Sequence, residues 1–106
     1  MTEIASVYAT FASDEEAHRI GRLLVDERFA ACVNILGPCH SIYRWQGKVE
    51  ETQEVAAIFK TTSGMAPLLI ARLTELHSYE LPAAVAWSAT DATDSFRSWV
   101  IENSDR

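Results

Sequence analysis

The chain is short of the residues that mark unusual proteins, with two cysteines, four glycines and three prolines among 106 residues. Two cysteines cannot form the framework of a small secreted domain, so Cys32 and Cys39 read as reduced thiols of a cytoplasmic protein. The scarcity of glycine and proline excludes collagen-like and low-complexity chains. No apolar run approaches the ~20 residues that a membrane helix needs. The start, Met1-Thr2-Glu3, carries an acid where a signal peptide wants a basic region, and no apolar stretch follows it. Basic residues are the minority, nine against fifteen acidic, for a formal charge of −6. Such a surface repels phosphate, which argues against nucleic acid and anionic membranes as partners. The chain also lacks a G-x-G-x-x-G, a Walker loop, a G-x-S-x-G and an H-E-x-x-H, so no motif supports catalysis.

What is present is ordinary globular composition, 48% hydrophobic and 23% charged, with no linker or repeat. The length predicts one domain over 1–106. Ile4 to Phe11 is a β-rich run without breakers and predicts a first strand. Ser13-x-x-Glu16 is a capping box with acids in the first turn, and Ala17, Ile20, Leu23 and Leu24 follow at helical spacing. A helix to about Arg28 is expected, with Gly21 allowing close packing on a sheet. Gln46-Gly47 sits between two runs of β-formers and predicts a tight hairpin that pairs Trp45 with Lys48, Tyr43 with Glu50 and Cys39 with Glu54. Pro38 cannot donate to a ladder, so the first arm should bulge near Gly37-Pro38.

Thr62 and Ser63 offer an N-cap, and Pro67 suits the first turn of a second helix ending near His77. Its broad apolar face holds Met65, Leu68, Leu69, Ile70, Leu73 and Leu76. Ala84 to Ala89 reads as a short strand, and Thr93 caps a last helix with Phe96, Trp99 and Val100 on one face. The order β-α-β-β-α-β plus a short C-terminal helix is the α+β, ferredoxin-like plan.

Hairpin length implies assembly. Arms of roughly 14 residues at about 3.3 Å per residue span on the order of 45 Å. A compact chain of this size has a radius of gyration of about 13 Å. The tip, with Tyr43, Trp45 and Val49, then stands in water unless another copy covers it, which predicts an obligate homo-oligomer.

Three groups of side chains could carry chemistry. Cys39-His40, with Cys32, offers soft ligands for Cu(I) or Zn, although neighbouring strand residues point to opposite faces and Cys32 also reads as a small core residue. His77-Ser78-Tyr79-Glu80-Leu81-Pro82 is either a binding loop or a plain helix stop. Lys48, Glu50, Glu54 and Lys60 share one face of the second arm, where solvated charges or intersubunit ion pairs are favoured over acid–base work.

Ala31-Cys32-Val33-Asn34-Ile35, the run Ser41 to Val49, Glu54 with Lys60, and His77-x-Tyr79-Glu80-x-Pro82 together resemble the CutA family of divalent-cation-tolerance proteins. The resemblance runs from the first strand to Trp99 and Val100. It implies a ferredoxin-like homotrimer in which long hairpins clasp neighbours, tolerance of copper and other divalent metals, and no enzymatic activity. It also implies intersubunit clefts like those of PII signalling proteins, with Trp45, Glu54, Lys60, His77 and Tyr79 as cleft residues. Ser78 stands where the family has proline, and Ala83 where it has glutamate, which removes a hard ligand from the implied cleft. Phe96 replaces a more usual tyrosine.

The expected function is a non-enzymatic, cytoplasmic homotrimer that binds a metal ion or small anionic ligand. His77 and Tyr79 would contact the ligand, Lys60 would supply positive charge, and Cys39, His40 and His77 are candidate metal donors. Two alternatives stand beside it: a PII-like signalling or scaffold trimer engaging a protein partner without a metal role, and a small hydrolase of the same shape.

Overall fold

The structure, a computed structural model, describes residues 3–106. Met1 and Thr2, the first two residues of the start that was read for a leader, lie outside the described residues. The elements are β1 (Ile4–Phe11), α1 (Asp14–Asp26), β2 (Cys32–Trp45), β3 (Lys48–Thr62), α2 (Ala66–Leu76), β4 (Ala84–Ser88) and α3 (Asp94–Asn103). The four strands form one antiparallel sheet in the order β2-β3-β1-β4. The α+β, ferredoxin-like expectation therefore holds. No helix of the described residues is long and apolar enough to cross a membrane.

α1 and α2 cover one face of the sheet. Alternation along β1 sends Val7, Ala9 and Phe11 to that face, where they meet Ile20, Leu24, Leu69 and Leu73 with Phe59 of β3. The side chain of Val33 explains Gly21: a Cβ there would lie 3.2 Å from Val33 Cγ1, so the glycine lets α1 settle onto β2. On the opposite face α3 covers only the end near Ile4, where Val100 and Ala31 are buried. The rest of that face is open.

The hairpin has the expected register, Trp45 opposite Lys48 and Cys39 opposite Glu54, and a bulge falls between Ile35 and Gly37. Gly37 takes φ 101° there. Gln46 and Gly47 both have positive φ, 50° and 82°, the pattern of a type I′ turn whose twist matches the strands it joins. β1 pairs with β3 only from Val55 to Thr62, so Lys48 to Glu54 and the facing part of β2 project beyond the body. The long axis of the chain is 44 Å against 26 and 22 Å across. Ile42 and Val49 on this projection are 68% and 63% exposed.

Several local expectations are corrected. Glu16 does not close the capping box on Ser13: the Ser13 hydroxyl accepts from Glu16 N, but Glu16 Oε1 reaches one residue further, to Ala12 N at 3.1 Å. α1 ends at Asp26, and Arg28 leaves it in the left-handed region at φ 65°, donating to the Glu102 and Asp105 carbonyls after α3. The N-cap of α2 is Met65, not Thr62 or Ser63. The Thr62 hydroxyl instead accepts from Met65 N in the turn before it. Leu68, Phe96 and Trp99, on the apolar helix faces read from the spacing, are exposed in the single chain. Phe96 and Trp99 stack on each other at 5.9 Å.

Candidate functional site

The open face of the sheet and the α2–β4 loop enclose a groove of about 740 Å³. Its floor is Tyr8 and Thr10 of β1 with Thr52 and Glu54 of β3. One end is walled by Tyr43 and Trp45 of the projecting hairpin, and the side by Tyr79, Glu80 and Leu81 of the loop.

The loop is held by a buried relay. The His77 ring stacks on Phe11 with centroids 5.1 Å apart, and its Nε2 donates to the Thr10 carbonyl at 2.8 Å. Nδ1 then accepts from Tyr79 N at 3.1 Å, which fixes the neutral tautomer with its proton on Nε2. Next to it, Glu16 Oε2 accepts from Ser78 N at 2.9 Å, so the α1 N-terminus grips the same loop. Burial pushes the Glu16 carboxyl up, but hydrogen bonding from Ser78 and Ala12 outweighs it, and the net shift is down. The relay ends in the groove, where Tyr79 donates to Glu54 Oε2 at 2.8 Å.

That bond and burial act on the phenol in the same direction. Burial first, then the hydrogen bond and charge of Glu54, raise the Tyr79 pKa well above its ordinary value of 10. Because the folded value is the higher one, the stabilising effect is complete below pH 10 and is lost as pH rises through the folded value. A Tyr79→Phe variant is expected to be less stable at neutral pH and to show a flatter loss of stability above about pH 10. Urea unfolding across pH 8 to 11 checks it; parallel curves for the two proteins would contradict it.

The sequence-derived cleft residues are partly brought together. Trp45, Glu54 and Tyr79 line the groove. His77 lies beneath it, 8% exposed, with both ring nitrogens engaged by backbone, so in this arrangement it offers neither a metal lone pair nor a base. Lys60 is six residues along β3 from Glu54, about 20 Å away, and donates to Asn34 Oδ1 at 3.0 Å. The positive charge expected of it is absent from the groove. Glu50, Glu54 and Glu80 stand there against one cation, Arg44, so the lining is acidic.

The candidate metal donors Cys39, His40 and His77 do not form one set. Cys39 pairs with Glu54 on the groove face, whereas His40 pairs with Gln53 on the other. Cys32 is at the far end of β2, and burial pushes its thiol up despite the Lys60 ammonium, which keeps it protonated at neutral pH. No group of three His, Cys, Asp or Glu side chains able to hold a metal ion occurs among the described residues. Residues that composition and spacing did not single out are Tyr8, Thr10 and Glu16. The alternation of β1 and the capping-box pattern carried the signal for where they sit, but not for what they touch.

Comparison with known proteins agrees with this architecture. Residues 5–103 match the family model described as CutA1 divalent ion tolerance protein. The divalent-cation tolerance protein CutA of Thermus thermophilus is 43% identical over 97 residues, 92% of this chain and 94% of that one. The Pyrococcus horikoshii protein of the same name is 37% identical over 100 residues, 94% and 97% of the two chains. The crystal structure of CutA from Xylella fastidiosa superposes with a TM-score of 0.94 at 37% identity, covering 97% of this chain and 99% of that one. The fold, the motif order and these matches together make this chain a member of the CutA1 family of divalent ion tolerance proteins.

Proposed function

We propose that the chain works as a cytoplasmic homotrimer, a binding protein and not a catalyst, whose groove is closed by a neighbouring copy and takes up a small ligand in divalent-cation tolerance. The observation that carries this reading is the projecting hairpin. Seven residues of β3 extend past β1 with Ile42 and Val49 bare, beside a groove that is open on the sheet face. A lone two-stranded ribbon is marginal in water, and an apolar tip beside an unpaired edge is stable when a second copy covers both. Val85 and Trp87, 58% and 50% exposed on β4, leave apolar surface on the open face as well, opposite in face to Ile42 and Val49. Of the metal ion and the small anionic ligand expected, the acidic lining favours the cation.

Copper or another divalent ion would need donors from two copies, because the described residues of one chain bring no three candidate donors together. Sedimentation at micromolar concentration, together with native mass spectrometry of protein purified without added metal, tests the proposal. A trimer whose stability rises with protein concentration is the expected result. Unsubstituted protein that sediments as a single folded chain at that concentration would overturn it.

A further inference from the structure

Taking the groove as the ligand site, as above, we propose that it accepts an organic cation, an ammonium or guanidinium group on an apolar body, in preference to a bare metal ion. Charge sets the sign: Glu50, Glu54 and Glu80 surround the space, and only Arg44 opposes them. Size and donor set then separate the two kinds of cation. A bare divalent ion is held by four or more donors converging within about 2.0–2.6 Å of it. The acids here are spread around about 740 Å³, and no three candidate donors converge among the described residues. That volume suits an organic molecule.

Glu54 supplies the anchor. It is 8% exposed, and Tyr79 satisfies Oε2, yet no hydrogen bond from the described residues reaches its other oxygen. That oxygen is not sealed off from the open groove, and an N–H of positive charge is its strongest partner there. Around that oxygen the walls are aromatic. Tyr8, Tyr43, Trp45 and Tyr79 line the groove, and aromatic rings attract an ammonium or guanidinium and cover the attached carbon. Tyr79 is held in place by the His77 relay, so the carboxylate keeps one orientation before the ligand arrives. The cationic group comes either from a free small molecule or from a basic side chain of a second copy. Lys48, at the hairpin tip on the groove face, is the side chain to test for the second source.

Isothermal titration of the full chain with benzylammonium, benzyl alcohol, benzoate and zinc chloride tests this. Saturable uptake of benzylammonium is expected, with no saturable uptake of the alcohol or benzoate. Glu54→Gln should weaken it at least about tenfold. Glu80→Gln, at an exposed position that cannot unfold the chain, should weaken it about two- to fivefold. A silent wild type together with a Lys48→Gln variant that takes up benzylammonium upholds the class and makes a second copy the source. Benzylammonium binding unchanged in both glutamate variants overturns the proposal. Zinc uptake lowered by Glu54→Gln, without benzylammonium uptake in any variant, overturns the ligand class and leaves the groove as the site. No saturable binding of either cation in any variant removes both readings.

Discussion

Glu16→Ala is expected to lose about 2–5 kcal/mol of unfolding free energy at neutral pH. The carboxylate is buried, and each oxygen accepts a backbone N–H, from Ala12 at one end of the site and from Ser78 at the other. Removing it takes away both charge-assisted bonds, about 1–3 kcal/mol each and toward the lower figure here because Ala12 and Ser78 are themselves exposed. Glu16→Gln keeps one acceptor and should recover part of the loss. The pH dependence follows from the direction of the shift. The folded carboxyl titrates below its ordinary 4.5, so its contribution is present above that value and is lost as pH falls through the folded one. Urea unfolding at pH 7 and pH 3 should therefore separate wild type from Glu16→Gln more at pH 7 than at pH 3. An equal gap at both values would contradict the argument. Since Ser78 adjoins His77 and Tyr79, Glu16→Ala should also loosen the Tyr79–Glu54 bond, seen as earlier tyrosine ionisation in an alkaline spectrophotometric titration.

Val49→Asp is expected to dissociate the assembly while leaving each chain folded. In a single chain Val49 is 63% exposed, and a substitution at such a position changes stability by about 0.5 kcal/mol or less. In the proposed trimer the same side chain is covered by a neighbour, and burying an unpaired carboxylate costs several kcal/mol. At 1.4 kcal/mol per tenfold this weakens association by at least about a hundredfold. The contrast is the diagnostic: circular dichroism should show an intact fold at concentrations where sedimentation shows single chains. A Val49→Asp protein that stays assembled would place the interface elsewhere.

The hairpin and the loop differ in how much of them was legible. Register, bulge and the tight turn followed from Gln46-Gly47, Pro38 and the alternation of β-formers, because these are local constraints with a fixed period. Phe96, Trp99 and Leu68 were placed on apolar helix faces from their spacing, and spacing says no more than that they share a face. Whether anything packs on that face depends on which layer the fold, or a partner, lays over it. His77 shows the same limit in chemical terms. Its position before Tyr79 and Pro82 suggested a ligand, yet Thr10, 67 residues away, takes Nε2, and Tyr79 N takes Nδ1.

The amino-acid order alone determined the element sequence, the antiparallel hairpin and its overhang, since strand period, turn chemistry and residue rise act over a few neighbouring positions. Which donors meet was decided only by the folded chain. Lys60 and Glu54 share a face but lie about 20 Å apart, whereas Glu16, Ser78, Tyr79 and Glu54 converge from three elements. Hydrogen bonds and charge pairs are set by distances of a few ångströms, and those are properties of packing between segments that sequence spacing does not encode.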